Sequence, residues 1–283
     1  MTAPQSKSSV LMIDCADEMG LIHKVTSVLL SHGCNITSNS EFVDRDHERF
    51  FMRSEMVGEV DEIEVTKELK NQLPEAANVR FIKQHKKKIV ILATKEYHCL
   101  GDLLVRNYFG ELNAEVLAVI SNHQVLQNFT EKFDIPFHYV PHQEISRKAH
   151  EEAVLKLIDQ YSPEFLVLAK YMRVLTPDFI KKFPYRAINI HHSFLPAFIG
   201  ANPYRQAFDR GVKIIGATAH FVTDNLDEGP IIMQETIRTD HTKNAKQMAR
   251  AGKDVEKIVL SKALKLVFED RVFVMGNKTI IFD

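Results

Sequence analysis

At 283 residues the chain exceeds one ordinary domain and suits two, with ample length for a buried core. Its 36 Lys and Arg against 37 Asp and Glu give a formal net charge of -1, which excludes nucleic-acid binding driven by bulk charge, so no nucleic-acid partner is expected. Cys15, Cys34 and Cys99 lie far apart without a C-x-x-C pair, which excludes a disulfide framework and a zinc motif and fits a reducing cytoplasm.

The opening MTAPQSKSSV carries no apolar core of an export signal. No later apolar run approaches the ~20 residues that span a bilayer, so no membrane partner is expected either. SSVLMIDCA reads as a strand, and GLIHKVTSVLLSHG as an amphipathic helix with Leu21, Ile22, Val25, Val28 and Leu29 on one face and Gly33 as its stop. NITSNSEFV and HERFFMRSEMV pair as a hairpin across VDRD, DEIEVTKELKNQL gives a second helix and NVRFIKQ a last strand. This order is βαββαβ, the ferredoxin-like arrangement, over residues 1–84.

The basic run QHKKK, residues 84–88, separates two apolar strands and marks the boundary to a second domain over 85–283. Strands at 88–94, 114–120, 165–169 and 186–190 alternate there with helical segments near 99–108, 122–133 and 144–160. Such alternation predicts a Rossmann-like open α/β domain with a parallel sheet, where ligands bind beyond the carboxyl ends of the strands. The long pattern NAKQMARAGKDVEKIVLSKALKLVFED reads as a closing helix.

Two segments of this second domain carry chemistry, RAINIHHSFLP at 186–196 and GATAHFVTDNLDEGPII at 216–232. Asn189 and His191 sit two positions apart at the end of a strand, so their side chains point the same way. The second segment runs from a strand into a loop rich in acceptors, from which Asp227 can approach them. An amide that donates to an oxyanion, an imidazole that moves protons and a carboxylate that orients it suit addition to a carbonyl. Asn and His at a strand end also cap turns, so the pair alone leaves both readings open. His192 and His220 would complete a metal site only if adjacent histidines shared a face, which an extended chain opposes; no metal is expected.

With L-P after the first segment and G-P-I-I after the second, residues 88–283 resemble the folate-dependent formyltransferases. The resemblance implies that Asn189 stabilises the oxyanion, His191 acts as acid and base, and Asp227 completes the site. It implies 10-formyltetrahydrofolate as substrate, with no tightly bound cofactor. LAKYMRVL matches the family segment whose backbone meets the pteridine ring, which assigns Met172, Arg173, Val174 and Leu175 to folate, with Thr223 and Asp224 on the facing loop.

The acceptor of the formyl group is the open question. Family members acting on glycinamide ribonucleotide hold its phosphate in a Gly-rich loop after the first strand. Here that stretch is TKEYHCLGDLL, with one glycine, Gly101, and with Glu96 and Tyr97 in its place. A carboxylate there repels phosphate. The chain ends after RVFVMGNKTIIFD without the nucleic-acid-binding domain of the tRNA-formylating members. Water is therefore the expected acceptor, as in the hydrolysing branch of the family, which supplies formate for purine synthesis and balances one-carbon pools. Transfer to glycinamide ribonucleotide or another amine, and an inactive binding protein that senses folate or amino acids, are the alternatives.

DCADEMGLIHKV followed by HGCNI resembles an ACT domain. The resemblance implies an amino-acid effector, glycine or methionine, contacting Asp17, Met19, Gly20, Leu21, Asn35 and Ile36, and a homo-oligomer, dimer or tetramer.

Overall fold

The apolar run SSVLMIDCA forms a strand buried on both faces, β1 (Ser8–Ala16), and this fixes it as a central strand of its sheet. In the computed structural model, which describes residues 8–197 and 202–283, helix α1 (Leu21–Ser31) follows. The opening MTAPQSK, which figured in the reading that no export signal is present, lies outside the described residues.

The hairpin of β2 (Asn35–Asp44) and β3 (Arg49–Val57) comes next, then α2 (Glu62–Gln72) and β4 (Asn78–Lys83). Asp61 caps α2 by accepting from the amides of Ile63 and Glu64. The four strands form an antiparallel sheet ordered β2-β3-β1-β4, the expected βαββαβ unit. Leu21, Val25, Val28 and Leu29 of α1 and Val65 and Leu69 of α2 pack on it in one core.

The first compact unit comprises residues up to His85 together with Glu269–Phe273 and Phe282–Asp283. The late residues have specific partners within it. The Arg53 guanidinium donates to the carbonyls of Asp270 and Glu269, and Phe273 meets Phe51 edge-on at 5.5 Å.

The second unit, Lys86–Phe268 with Val274–Ile281, holds a seven-stranded sheet. In chain order its elements are β5 (Lys87–Ala93), α3 (Tyr97–Tyr108), β6 (Ala114–Ser121), α4 (Gln127–Glu131), β7 (Phe137–Tyr139), α5 (Arg147–Tyr161), β8 (Phe165–Ala169), α6 (Pro177–Ile180), β9 (Ala187–His191), α7 (Pro203–Arg210), β10 (Ile214–Phe221), β11 (Ile231–Arg238) and α8 (Ala245–Phe268). A ribbon of β12 (Val272–Met275) and β13 (Lys278–Ile281) closes the chain.

The sheet order is β11-β10-β9-β8-β5-β6-β7. The four strands expected from the sequence run parallel, with β5 between β6 and β8 and with β9 beside β8. The sheet as a whole is mixed rather than parallel, because β10 pairs antiparallel with both β9 and β11. No crossover helix is needed between β10 and β11, so the alternation that signals parallel strands stops there. The helix expected over 122–133 is broken into a 3-10 turn at Gln124–Leu126 and the short α4, and the three-residue β7 follows it. Among the described residues no helix is long and apolar enough to cross a membrane.

Candidate active site

The antiparallel pairing of β9 and β10 sets the registers Asn189 with His220 and His191 with Thr218. Asn189, His191 and His220 thereby gather at the end of β9, beyond the parallel strands. The loop after β10 then doubles back tightly. Phe221 N–H donates to Pro230 O at 3.0 Å, and a side chain at Gly229 would place its Cβ 1.8 Å from Phe221 O, so only glycine permits the closure. Asp227 sits in that loop with left-handed backbone, φ 57°, a conformation Asp tolerates better than most residues. The reversal brings its carboxylate onto the histidines.

His191 Nδ1 lies 3.2 Å from Asp227 Oδ2, and both side chains are nearly buried. A carboxylate accepts only, so Nδ1 carries the proton and donates it to Asp227, which leaves the lone pair on Nε2. His191 Nε2 is buried with no hydrogen-bond partner. His220 Nδ1 lies 2.9 Å from Phe221 O and must likewise donate. Its Nε2 then accepts from Asn189 Nδ2 at 3.2 Å, which turns the amide so that its N–H edge faces the site. Burial pushes the Asp227 carboxyl up, but the hydrogen bond from His191, with the His220 imidazole also close by, outweighs it and holds the group well below the usual carboxylate range.

These residues line a cleft of about 330 Å³. All six residues expected to contact folate, Met172, Arg173, Val174, Leu175, Thr223 and Asp224, line the same cleft. Met172 and Val174 are exposed on it, whereas Leu175 turns its side chain into the core. The loop that carries them is tied down. Met172 N–H donates to Thr94 Oγ1 at 3.0 Å, Thr176 N–H to Glu151 Oε1 at 2.9 Å, and Arg147 to Val174 O. Met172 N–H is thus already engaged within the chain. Thr94, Arg147 and Glu151 carry no recognisable sequence signal, since each acts on the site only through that loop.

Sequence reasoning also missed what stands behind His192. Its ring lies 5.1 Å from that of His191 and 6.1 Å from that of Tyr204, centroid to centroid. Burial, with the nearby Lys170 charge second, pushes the His192 imidazole down to about 4. Glu96 ion-pairs with Lys253 at 2.5 Å instead of standing open at the mouth of a phosphate cradle. His98, Cys99 and Glu256 form a group with metal-ligand atoms within 4.8 Å of one another. Glu256 already holds the Lys170 ammonium and burial pushes the Cys99 thiol far up, so neither fits a metal ligand.

The six residues read as an effector site are not brought together within one chain. Asp17, Met19 and Gly20 follow Ala16, which pairs with Arg49, whereas Asn35 pairs with Val57 beside Ser8. The length of β1, roughly 25 Å, separates the two groups. Met19 is fully exposed, Ile36 packs against the core and Leu21 is buried in it, 2% exposed, and so offers its backbone alone. The loop after β1 and the start of β2 therefore lie at opposite ends of the sheet, on either side of α1.

Comparison with known proteins agrees with both units. The formyl transferase family model matches residues 87–264 and the ACT domain model residues 9–73. A protein from Haemophilus influenzae named formyltetrahydrofolate deformylase is 54% identical over 97% of this chain and 99% of its own length. The crystal structure of a formyltetrahydrofolate deformylase from Pseudomonas syringae pv. tomato superposes with a TM-score of 0.94 at 40% identity, covering 98% of this chain and 95% of that one. A glycinamide ribonucleotide transformylase from Symbiobacterium toebii, at 29% identity and a TM-score of 0.68, covers 71% of this chain and 97% of its own. The chain therefore belongs to the formyl transferase family, in the group that sets an ACT domain ahead of the formyl transferase domain, the formyltetrahydrofolate deformylases.

Proposed function

We propose that the protein hydrolyses 10-formyltetrahydrofolate to formate and tetrahydrofolate. The observation that carries this reading is the His191 ring, held through Nδ1 by Asp227 with Nε2 unpartnered beside Asn189. With the pteridine against Met172–Leu175 and the loop of Thr223 and Asp224, the formyl carbon lies between Asn189 and His191. Water attacks that carbon and gives a proton to His191 Nε2, while Asn189 Nδ2 donates to the tetrahedral oxyanion. Collapse breaks the bond from carbon to N10, and His191 returns its proton to N10. Asp227 keeps the imidazole in the productive tautomer and balances its positive charge between the two transfers.

The test supplies 10-formyltetrahydrofolate without any amine and measures formate. Equimolar formate and tetrahydrofolate are expected; turnover that begins only when glycinamide ribonucleotide or another amine is added would replace hydrolysis by transfer. Folate binding without turnover would mark an inactive sensor.

The ACT domain supports an amino-acid effector, with glycine and methionine as the candidates, and a homo-oligomer, dimer or tetramer. Asp17, Met19 and Gly20 form one exposed loop for such a ligand, and Asn35 with Ile36 a separate patch. Thermal stability measured with each amino acid tests the first point and sedimentation the second. Unpaired, buried Cys15, Cys34 and Cys99 suit a reducing cytoplasm.

A further inference from the structure

Behind the cleft the second unit buries another charged group of residues. Lys170, directly after β8, has left-handed backbone at φ 61° and points its ammonium at Glu256 Oε2, 3.1 Å away. Their side chains are 7% and 1% exposed. Glu256 Oε2 also lies 2.8 Å from His98 Nε2, and Glu256 Oε1 accepts from the Tyr204 hydroxyl at 2.7 Å. Tyr204 reaches it only because residue 252 is glycine: a Cβ there would lie 2.0 Å from the hydroxyl. A buried ion pair is weak support for a fold, since desolvation offsets most of its attraction. Its retention here calls for a reason at the site, and Lys170 borders the site directly. It lines the cleft together with Asn189, His191 and His192.

Formyl transfer to an amine needs room beside the formyl carbon for the amine nitrogen and its substituents, and a group to receive the incoming ammonium. The buried carboxylate on this side of the cleft is Glu256, and it already holds a primary ammonium, that of the chain's own lysine. The segment that would carry an acceptor's phosphate is drawn into the same structure, with Glu96 on Lys253 and His98 on Glu256. His192, which lines the cleft, stacks its ring edge against Tyr204. Water needs none of this space.

We infer that Lys170, docked on Glu256, occupies the place of an amine acceptor and thereby restricts the attacking nucleophile to water. Lys170 is a specificity-determining residue in this scheme, and the inference rests on the hydrolytic reading. With the lysine removed, an amine nitrogen bonds to the formyl carbon, the bond from carbon to N10 breaks, and the proton lost by the amine reaches N10, as in hydrolysis with the amine in place of water.

The test compares the wild type with Lys170→Gly, which suits the left-handed backbone, and Lys170→Met, which keeps the stem without the ammonium. Each receives 10-formyltetrahydrofolate and excess glycinamide, and both formate and N-formylglycinamide are measured against an enzyme-free control. The wild type should give formate only. In Lys170→Gly the formyl groups found on glycinamide should exceed the enzyme-free control at least about tenfold, the scale on which a filled or emptied pocket discriminates substrates; Lys170→Met should remain water-only. Should the glycine variant fail to fold, Lys170→Asn tolerates the same backbone with a shorter side chain and is read in the same way. A wild type that formylates glycinamide, or a folded Lys170→Gly that releases formate with no diversion, overturns the inference. A wild type that releases no formate without an amine instead removes the hydrolytic reading on which it rests.

Discussion

His191 Nδ1 stands 3.2 Å from Asp227 Oδ2, and the other nitrogen of the same ring is buried without a partner. One contact thus decides which nitrogen carries the lone pair at the reacting centre. Asp227→Asn keeps the volume but offers an N–H to Nδ1, which favours the opposite tautomer. Formate release should fall by roughly 10⁴-fold, the loss found when the same change mis-sets a catalytic histidine. Single-turnover assays with a circular dichroism control read this directly, and a variant within tenfold of the wild type would remove Asp227 from the mechanism.

Asn189 has the opposite kind of role, acting only when charge develops. Asn189→Ala should lower the rate about 100- to 1,000-fold, the usual cost of one oxyanion donor, with little change in affinity for a non-hydrolysable folate. His220→Phe removes the acceptor that holds the amide by its Nδ2 and should reproduce part of that loss. Equal losses in folate affinity and rate would instead place Asn189 in ground-state binding.

Acid should destabilise the protein. The carboxyls of Asp227 and Glu256 are both held down in the fold, Glu256 to about 2 as His98, Lys170 and Tyr204 outweigh its burial, and burial pushes His192 down to about 4. In each case the unfolded chain binds protons first, so stability is fully present above the unfolded value and is lost as pH falls toward the folded one. For His192 the window runs from about 6.5 to about 4 and spans up to about 3 kcal/mol. The Tm should drop steadily between pH 7 and pH 4, and His192→Asn should flatten that slope. An unchanged slope in the variant would contradict a neutral, half-buried His192.

Gly252→Ala tests the packing that supports Glu256. The new methyl would meet the Tyr204 hydroxyl and its ring carbons Cζ and Cε1 at 2.0 to 2.4 Å. Displacing that ring should cost about 1–3 kcal/mol, the range for overpacked interiors, read as a lowered Tm. A variant as stable as the wild type would mean that Tyr204 yields easily and that its bond to Glu256 contributes little.

Much of this was legible in the sequence where a local pattern meets a local rule. The period of α1, the hairpin of β2 and β3, and the strand ends at Asn189 and His191 all follow from side-chain alternation. What escaped depends on contacts between distant segments. The antiparallel turn of β10 leaves no mark in its apolar run, and Lys170 and Glu256, 86 positions apart by subtraction, meet only once β8 and α8 are packed. The segment DCADEMGLIHKV followed by HGCNI is continuous in sequence but passes through α1, so that Asp17 and Asn35 lie near opposite ends of β1.

The source of the second oxygen of formate tests the hydrolytic mechanism most directly. Turnover of 10-formyltetrahydrofolate in water enriched in oxygen-18, without any amine, should give formate carrying one solvent oxygen per molecule, and Asn189→Ala should suppress its formation. Formate without solvent label, or no formate until an amine is supplied, would contradict attack by water at this site.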